Sequence, residues 1–301
     1  MNTLTGTIAV EHGTLFYTHT PPYSAVTRRP ALLLIHAGVA DHSMWEPTVA
    51  HFSQTGHQVI TYDTRGYGRT RNDTTALETA SYSNVDDAIA LLDHLGVNQV
   101  VVVGNSRGGA IALDIALQFP KRVIGVVHIC GGVGGLEGPE YDETTSGTDL
   151  EKEVFTKILQ IYSDKNWDAL EDLFATAWAD GVGQPLRRSG HVHDRVKQMV
   201  HANLAAHEKS GEARAIKPRN PQPSAAERIE QLMSPLLVIV GGLDTSATVR
   251  TADWLVSKVE KVTRVDFPHC AHMVSMEEPE KFHRVVEEWL ETNVGCVEAT
   301  V

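Results

Sequence analysis

Short β-prone runs alternate along this chain with longer segments whose apolar residues recur every three or four positions. The runs are Ala31–Ile35, Gln58–Tyr62, the valines Val100–Val103, Val123–Ile129, Leu236–Val240 and Arg264–Phe267. Most are almost wholly apolar, the mark of strands buried on both faces in a parallel sheet covered by helices. Between them, Val85, Ile89, Leu92 and Leu95 share one helical face, with Ser83 or Asn84 as N-cap and Gly96 as C-cap. The same spacing predicts helices near Trp45–Ser53, Gly109–Phe119, Val249–Val259 and Pro279–Leu290, where Pro279 suits a first turn. Thr7–Val10 and Leu15–Thr18 flank Glu11-His12-Gly13-Thr14 as a hairpin, and the proline-bearing stretch Thr20–Pro30 reads as a loop. The alternation predicts an α/β fold with a doubly wound, mostly parallel sheet.

The rhythm changes at Leu136. From Leu150 to Lys209 no strand is recognisable; amphipathic runs at Glu153–Tyr162, Trp167–Trp178 and His193–His207 are broken by Gly181-Val182-Gly183-Gln184-Pro185. A helical insertion of this size reads as an all-helical lid over residues 136–220, set between core parts 1–135 and 221–301. Pro218, Pro221 and Pro223 make a stiff connector back to the sheet. The tail Glu291–Val301 is expected to fray.

The valine run leads into Gly104-Asn105-Ser106-Arg107-Gly108, a match to G-x-S-x-G with a strand before it and a helix after it. That order is what a nucleophile elbow requires: the glycines let strand and helix backbones approach, and the serine sits strained with its hydroxyl presented. Ser106, Asp244 and His272 each follow a predicted strand, and ligands bind outside the carboxyl ends of such strands. A serine hydroxyl needs a base, and an imidazole base needs a carboxylate on its other nitrogen. Asp244 fills that place, although an Asp after two glycines also suits a helix N-cap. The rival position after Val123–Ile129 offers no carboxylate before Glu137. Among 15 histidines, His36 precedes the serine and His269 lies three residues from His272; position favours His272 as base. The backbone N–H groups of Arg107 and Gly38 are the candidate oxyanion donors.

Composition narrows the partners. The formal net charge of −12 argues against nucleic acid or an anionic membrane, and no segment approaches a membrane span. Three cysteines, Cys130, Cys270 and Cys296, in no framework spacing, and an N-terminus without a basic start or apolar run, point to the cytoplasm. Nothing in the sequence signals an oligomeric state. His191-Val192-His193-Asp194 resembles a metal-ligand pair, but no ligand cluster lies nearby in sequence and a solvated helix face is expected there. Asp63, Arg65 and Arg69 are expected to order a loop beside the site. Trp167 and Trp178 are expected to pack, with Trp178 the candidate for facing the pocket.

From Ala31 to Leu290 the chain resembles a lid-bearing α/β-hydrolase, and is most similar to the esterase and enol-lactonase-like branch. The matching pieces are His36-Ala37-Gly38 with Met44-Trp45, Tyr62-Asp63-Thr64-Arg65-Gly66-Tyr67-Gly68, the elbow, Gly242-Leu243-Asp244, and His272 with Glu277-Glu278-Pro279. Ala37 stands where the family usually has glycine. The Gly-Asn-Ser start of the elbow is also similar to hydrolases that cleave carbon–carbon bonds, though their glycine- and proline-rich oxyanion loop is missing after His36. The resemblance implies a cofactor-independent serine hydrolase, with no metal, acting on a small or medium-sized ester or lactone. C–C hydrolysis, acyl cyclisation and a ligand-sensing receptor that retains the triad stay open beside it.

Overall fold

The computed structural model describes residues 3–23, 29–75, 79–142, 144–212 and 215–294. The central part of Thr20–Pro30, Cys296 and the last seven residues of the expected tail lie outside them. The hairpin forms as β1 (Leu4–Val10) and β2 (Gly13–Thr20). After β3 (Ala31–Ile35), a 3-10 turn at His42–Trp45 leads into α1 (Glu46–Gln54) and β4 (Val59–Tyr62). The short β5 (Arg71–Asn72) and β6 (Ser81–Tyr82) precede α2 (Asn84–His94). Next come β7 (Val100–Asn105), α3 (Arg107–Gln118) and β8 (Val123–Ile129).

A helical segment follows, with α4 (Asp149–Ser163), α5 (Trp167–Ala175) and α6 (His191–Asn203). Thr148 and Glu151 close a capping box at the start of α4. The last turns after α5 and α6, Thr176–Asp180 and Leu204–Glu208, widen into π-helix. One two-residue strand, β9 (Lys217–Pro218), ends the segment and pairs with β6, so this stretch is helical apart from that bridge. The core resumes with α7 (Ala225–Arg228), β10 (Leu236–Gly241), α8 (Ser246–Lys258), β11 (Val262–Phe267), α9 (Val274–Glu277) and α10 (Pro279–Asn293).

The main sheet runs β1-β2-β4-β3-β7-β8-β10-β11. Its pairs from β4 to β11 are parallel, while β1, β2 and β5 are antiparallel at one edge. Successive side chains of a strand face opposite ways, so each apolar run feeds two cores. Leu32, Leu34, Val101 and Val103 pack on the side of Trp45, Phe52, Phe282 and Trp289. Leu33, Ile35, Val100 and Val102 pack on the other side, against Leu91, Ile111, Ile115 and Leu255. Phe155, Ile158, Leu170 and Met199 of the helical segment join the first of these clusters. The segment is therefore continuous with one face of the core, and it sits over the strand ends.

Candidate active site

The turn at Ser106 is as tight as its glycines imply. A Cβ on Gly104 would stand 2.1 Å from the Gly108 carbonyl oxygen, and one on Gly108 would stand 2.3 Å from the Ile35 carbonyl oxygen. Ser106 itself has φ 58° and ψ −120°, a left-handed conformation that costs about 1–3 kcal/mol for a side-chain-bearing residue. Its N–H donates to Ile129 at 2.8 Å and its carbonyl accepts from Gly109 at 2.9 Å, which fixes the turn from both ends. The half-buried Ser106 hydroxyl has no hydrogen-bond partner among the described residues. Asn105 ties the elbow to a second loop: its Nδ2 donates to the Ile129 and His272 carbonyls at 3.3 and 3.2 Å.

That second loop follows β11 and carries His272, which meets Asp244 from the loop after β10. His272 Nδ1 lies 2.7 Å from Asp244 Oδ2, with the two side chains 4% and 1% exposed. A carboxylate only accepts, so in the neutral imidazole the hydrogen belongs on Nδ1 and the lone pair on Nε2. Asp244 Oδ1 accepts the Thr245 N–H at 2.7 Å. Thr245 caps α8, accepting from Thr248 N–H at 3.2 Å, so the N-cap role falls to Thr245 and leaves Asp244 to the imidazole.

The other candidate histidines go elsewhere. His269 is exposed. His36 is fully buried, and its Nε2 accepts the Thr64 N–H at 3.0 Å. Its Nδ1 therefore donates to the Ala37 carbonyl at 2.7 Å, and burial holds its pKa below the usual histidine value. Glu137 is exposed and lines a different cavity. The expectation of a solvated face at His191–Asp194 is corrected at His193, which is 3% exposed and 2.7 Å from the buried Asp180 carboxylate. Asp180 also accepts Arg187 and Ser189 N–H at 2.8 and 3.0 Å, a polar knot that period counting could not reveal.

Gly38 lies beside the elbow: a Cβ there would be 3.5 Å from the Tyr67 hydroxyl and 3.8 Å from Arg107 Cβ. The bond from His36 fixes the Ala37 carbonyl, and in a trans peptide the Gly38 N–H points the opposite way. Arg107 sends its guanidinium to Thr64 Oγ1 at 2.6 Å and Asn84 Oδ1 at 3.3 Å. Asp63 accepts the His42 and Arg69 N–H groups at 2.8 and 2.7 Å, while Arg65 pairs with Asp87, so these residues do order the loop after β4. A cavity of about 190 Å³ opens next to Gly38, lined among others by Tyr67, Phe174, Val200, Asn203 and Leu204. Trp178 does not line it. Its ring packs 4.4 Å from the His272 ring, and its carbonyl accepts the His272 N–H at 3.3 Å.

Among the described residues, two side-chain groups have the proximity a metal would need, Cys130 with Asp244 and His272, and Asp41 with His42 and Asp63. In both, the ligand atoms are engaged by protein donors: Asp244 by His272 and Thr245, Asp63 by His42 and Arg69. Neither geometry argues for a cation.

A family model for the alpha/beta hydrolase fold matches residues 30–279. The chain belongs to the α/β-hydrolase fold family. The curated relatives of this hydrolase include a 2-hydroxy-6-oxononadienedioate/2-hydroxy-6-oxononatrienedioate hydrolase of Burkholderia vietnamiensis, 27% identical and covering 88% of each chain. Another is 3-oxoadipate enol-lactonase 2 of Acinetobacter baylyi, 25% identical over 86% of this chain and 88% of its own. Among solved structures, the enol-lactonase from Burkholderia xenovorans LB400 superposes with a TM-score of 0.71 at 22% identity, covering 95% of this chain and 99% of its own. The esterase RhEst1 from Rhodococcus gives 0.74 at 18% identity, over 97% of this chain and 100% of its own. At those identities the superpositions speak for the fold. No helix among the described residues is long and apolar enough to cross a membrane.

Proposed function

We propose that this hydrolase cleaves a small or medium-sized carboxylic ester or lactone through an acyl-enzyme on Ser106. The observation that carries the reading is the 2.7 Å contact between Asp244 and His272, presented at the end of the sheet where the strained Ser106 turn also lies. Ser106 attacks the carbonyl as His272 Nε2 takes its proton, and Asp244 stabilises the imidazolium that results. The tetrahedral oxyanion is received by the backbone N–H groups of Arg107 and Gly38. His272 returns the proton to the leaving oxygen, then activates the water that releases the acid. No cofactor enters this sequence. The segment from α4 to the π-helical turn at Leu204–Glu208 acts as a lid, walling the cavity with Phe174, Val200 and Leu204.

Ser106→Ala and His272→Ala should each lower turnover of a p-nitrophenyl ester or lactone by at least about 10³-fold with the fold intact. Near-normal rates in either would defeat the assignment. C–C hydrolysis is a second reading, favoured by the relative from Burkholderia vietnamiensis. Turnover of an ester substrate in deuterated water separates the two, since both reactions take the acid's new oxygen from water but only C–C cleavage leaves a solvent deuteron on carbon in the other fragment, where ester cleavage leaves an alcohol. A ligand sensor would turn these substrates over very slowly and change its partner binding instead.

A further inference from the structure

His272 is gripped by more than Asp244. Glu277, at the end of α9, turns its carboxylate back on the loop and accepts the Ala271 N–H at 3.0 Å and the Met273 N–H at 3.2 Å. These are the amides on either side of His272, whose own N–H donates to the Trp178 carbonyl at 3.3 Å. Glu277 is 5% exposed, and its countercharge comes from the helical segment: Arg188 Nη2 donates to Glu277 Oε2. Arg188 spends its remaining donors on backbone, with Nε to the Asp180 carbonyl at 2.6 Å, Nη2 also to Ala179 at 3.1 Å, and Nη1 to His269 at 3.0 Å. One guanidinium thus joins the turn that carries Trp178 to the loop that carries His272.

We propose that Arg188 is a positioning residue for the base: by fixing the Glu277 carboxylate against the Ala271 and Met273 amides it holds the loop that aims His272, so seating of the helical segment becomes a condition of turnover. The inference rests on the reading of His272 as base. Burial raises the Glu277 pKa above its ordinary value, and the Arg188 hydrogen bond and the two amides offset only part of that rise. Among the described residues, the thiols of Cys270 and Cys130 feel its charge, Cys270 feeling Glu278 and Arg188 as well, and burial holds both thiols protonated. Without Arg188 the carboxylate takes a proton more readily. A protonated carboxyl accepts less well, so the grip on Ala271 and Met273 loosens as pH falls.

The test measures kcat and KM for the full chain from about pH 5 to about pH 9, with circular dichroism melts alongside. Arg188→Met should lower kcat about tenfold or more with KM within about twofold, because the loss is one of orientation. Its acid limb should move to higher pH. Adding Glu277→Gln to Arg188→Met should abolish that movement, since no carboxyl is left to titrate, and Arg188→Lys should restore part of kcat. A wild-type kcat and acid limb in folded Arg188→Met would overturn the proposal, as would a loss that tracks the melting curve with the pH profile unchanged. If Arg188→Met does not fold, Arg188→Lys should still move the acid limb, by less, and Glu277→Gln should show the same kcat against KM split with no movement of the limb; native profiles in both would overturn the proposal. The base reading fails separately: His272→Ala would then stay active whatever Arg188 does.

Discussion

Replacing Asp244 by Asn changes one atom and should cost more rate than its size suggests. Asp244 Oδ1 accepts the Thr245 N–H at 2.7 Å, and a backbone N–H can only donate. The introduced carboxamide must therefore keep its oxygen toward Thr245 and turn its NH2 toward His272 Nδ1, where the 2.7 Å contact now stands. Two donors cannot share that contact, so Nδ1 loses its hydrogen and Nε2 gains it. The base then meets Ser106 with an N–H instead of a lone pair. A wrong-tautomer triad loses about 10⁴ in kcat, near 5.5 kcal/mol of transition-state stabilisation. Single-turnover acylation with a p-nitrophenyl ester reads this directly, and histidine ring NMR reads the tautomer. The melting temperature should move little, since the substitution keeps the shape of the pair. A folded Asp244→Asn protein within tenfold of the native rate would refute the tautomer argument and the role of Asp244 with it.

Three further outcomes follow from geometry elsewhere. Gly104→Ala puts a methyl 2.1 Å from a backbone oxygen that no rotamer change can move, so it should destabilise by about 3 kcal/mol or abolish folding, as a urea titration would record. Asp114 has its pKa raised from 3.8 to about 6 by burial, against a pull from Arg228. An acid raised on folding costs stability above that pH, so Asp114→Asn should stabilise by about 1–2 kcal/mol at pH 8 and by almost nothing at pH 4, measured by urea unfolding. The His42–Asp63 pair sets its own window. Burial disfavours charge on both, yet their 2.8 Å contact holds His42 above its ordinary 6.5 and Asp63 below its ordinary 3.8. Its contribution should be complete between those two ordinary values, fading as pH rises through the raised His42 pKa or falls through the depressed Asp63 pKa. The melting temperature of His42→Gln should then converge with wild type at either extreme; a constant gap across pH would contradict it.

The parallel sheet was legible because each strand is a short apolar run, and Val100–Val103 could serve two cores only by being buried on both faces. Ser106, Asp244 and His272 were each expected just after a strand, and they follow β7, β10 and β11; that β10 and β11 are neighbours in the sheet is what lets Asp244 meet His272. The positions of Trp178 and His193 were not legible. Both depend on how the helical segment lies on the core, which local spacing does not encode: Trp178 sits in a π-helical turn against His272, and His193 turns inward to Asp180. Arg188 and Glu277 stand 89 residues apart, and neither neighbourhood hints at the other. The Glu277-Glu278-Pro279 stretch was visible as a pattern, while its function as acceptor for two amides needed coordinates.

The strand order also dictates when this protein can become competent as it leaves the ribosome. Ser106 and the proposed oxyanion donors Gly38 and Arg107 precede the helical segment, whereas β10, which lies between β8 and β11, is made only after the whole of it. Until β10 arrives, β8 has an open edge and that segment has only part of the apolar floor it rests on, so a nascent chain is exposed to pairing with another copy. The proposed base, His272, comes later still, and the Arg188–Glu277 contact beside it joins the segment to α9. On the proposed mechanism, a growing chain therefore carries Ser106 long before it carries the histidine that would activate it.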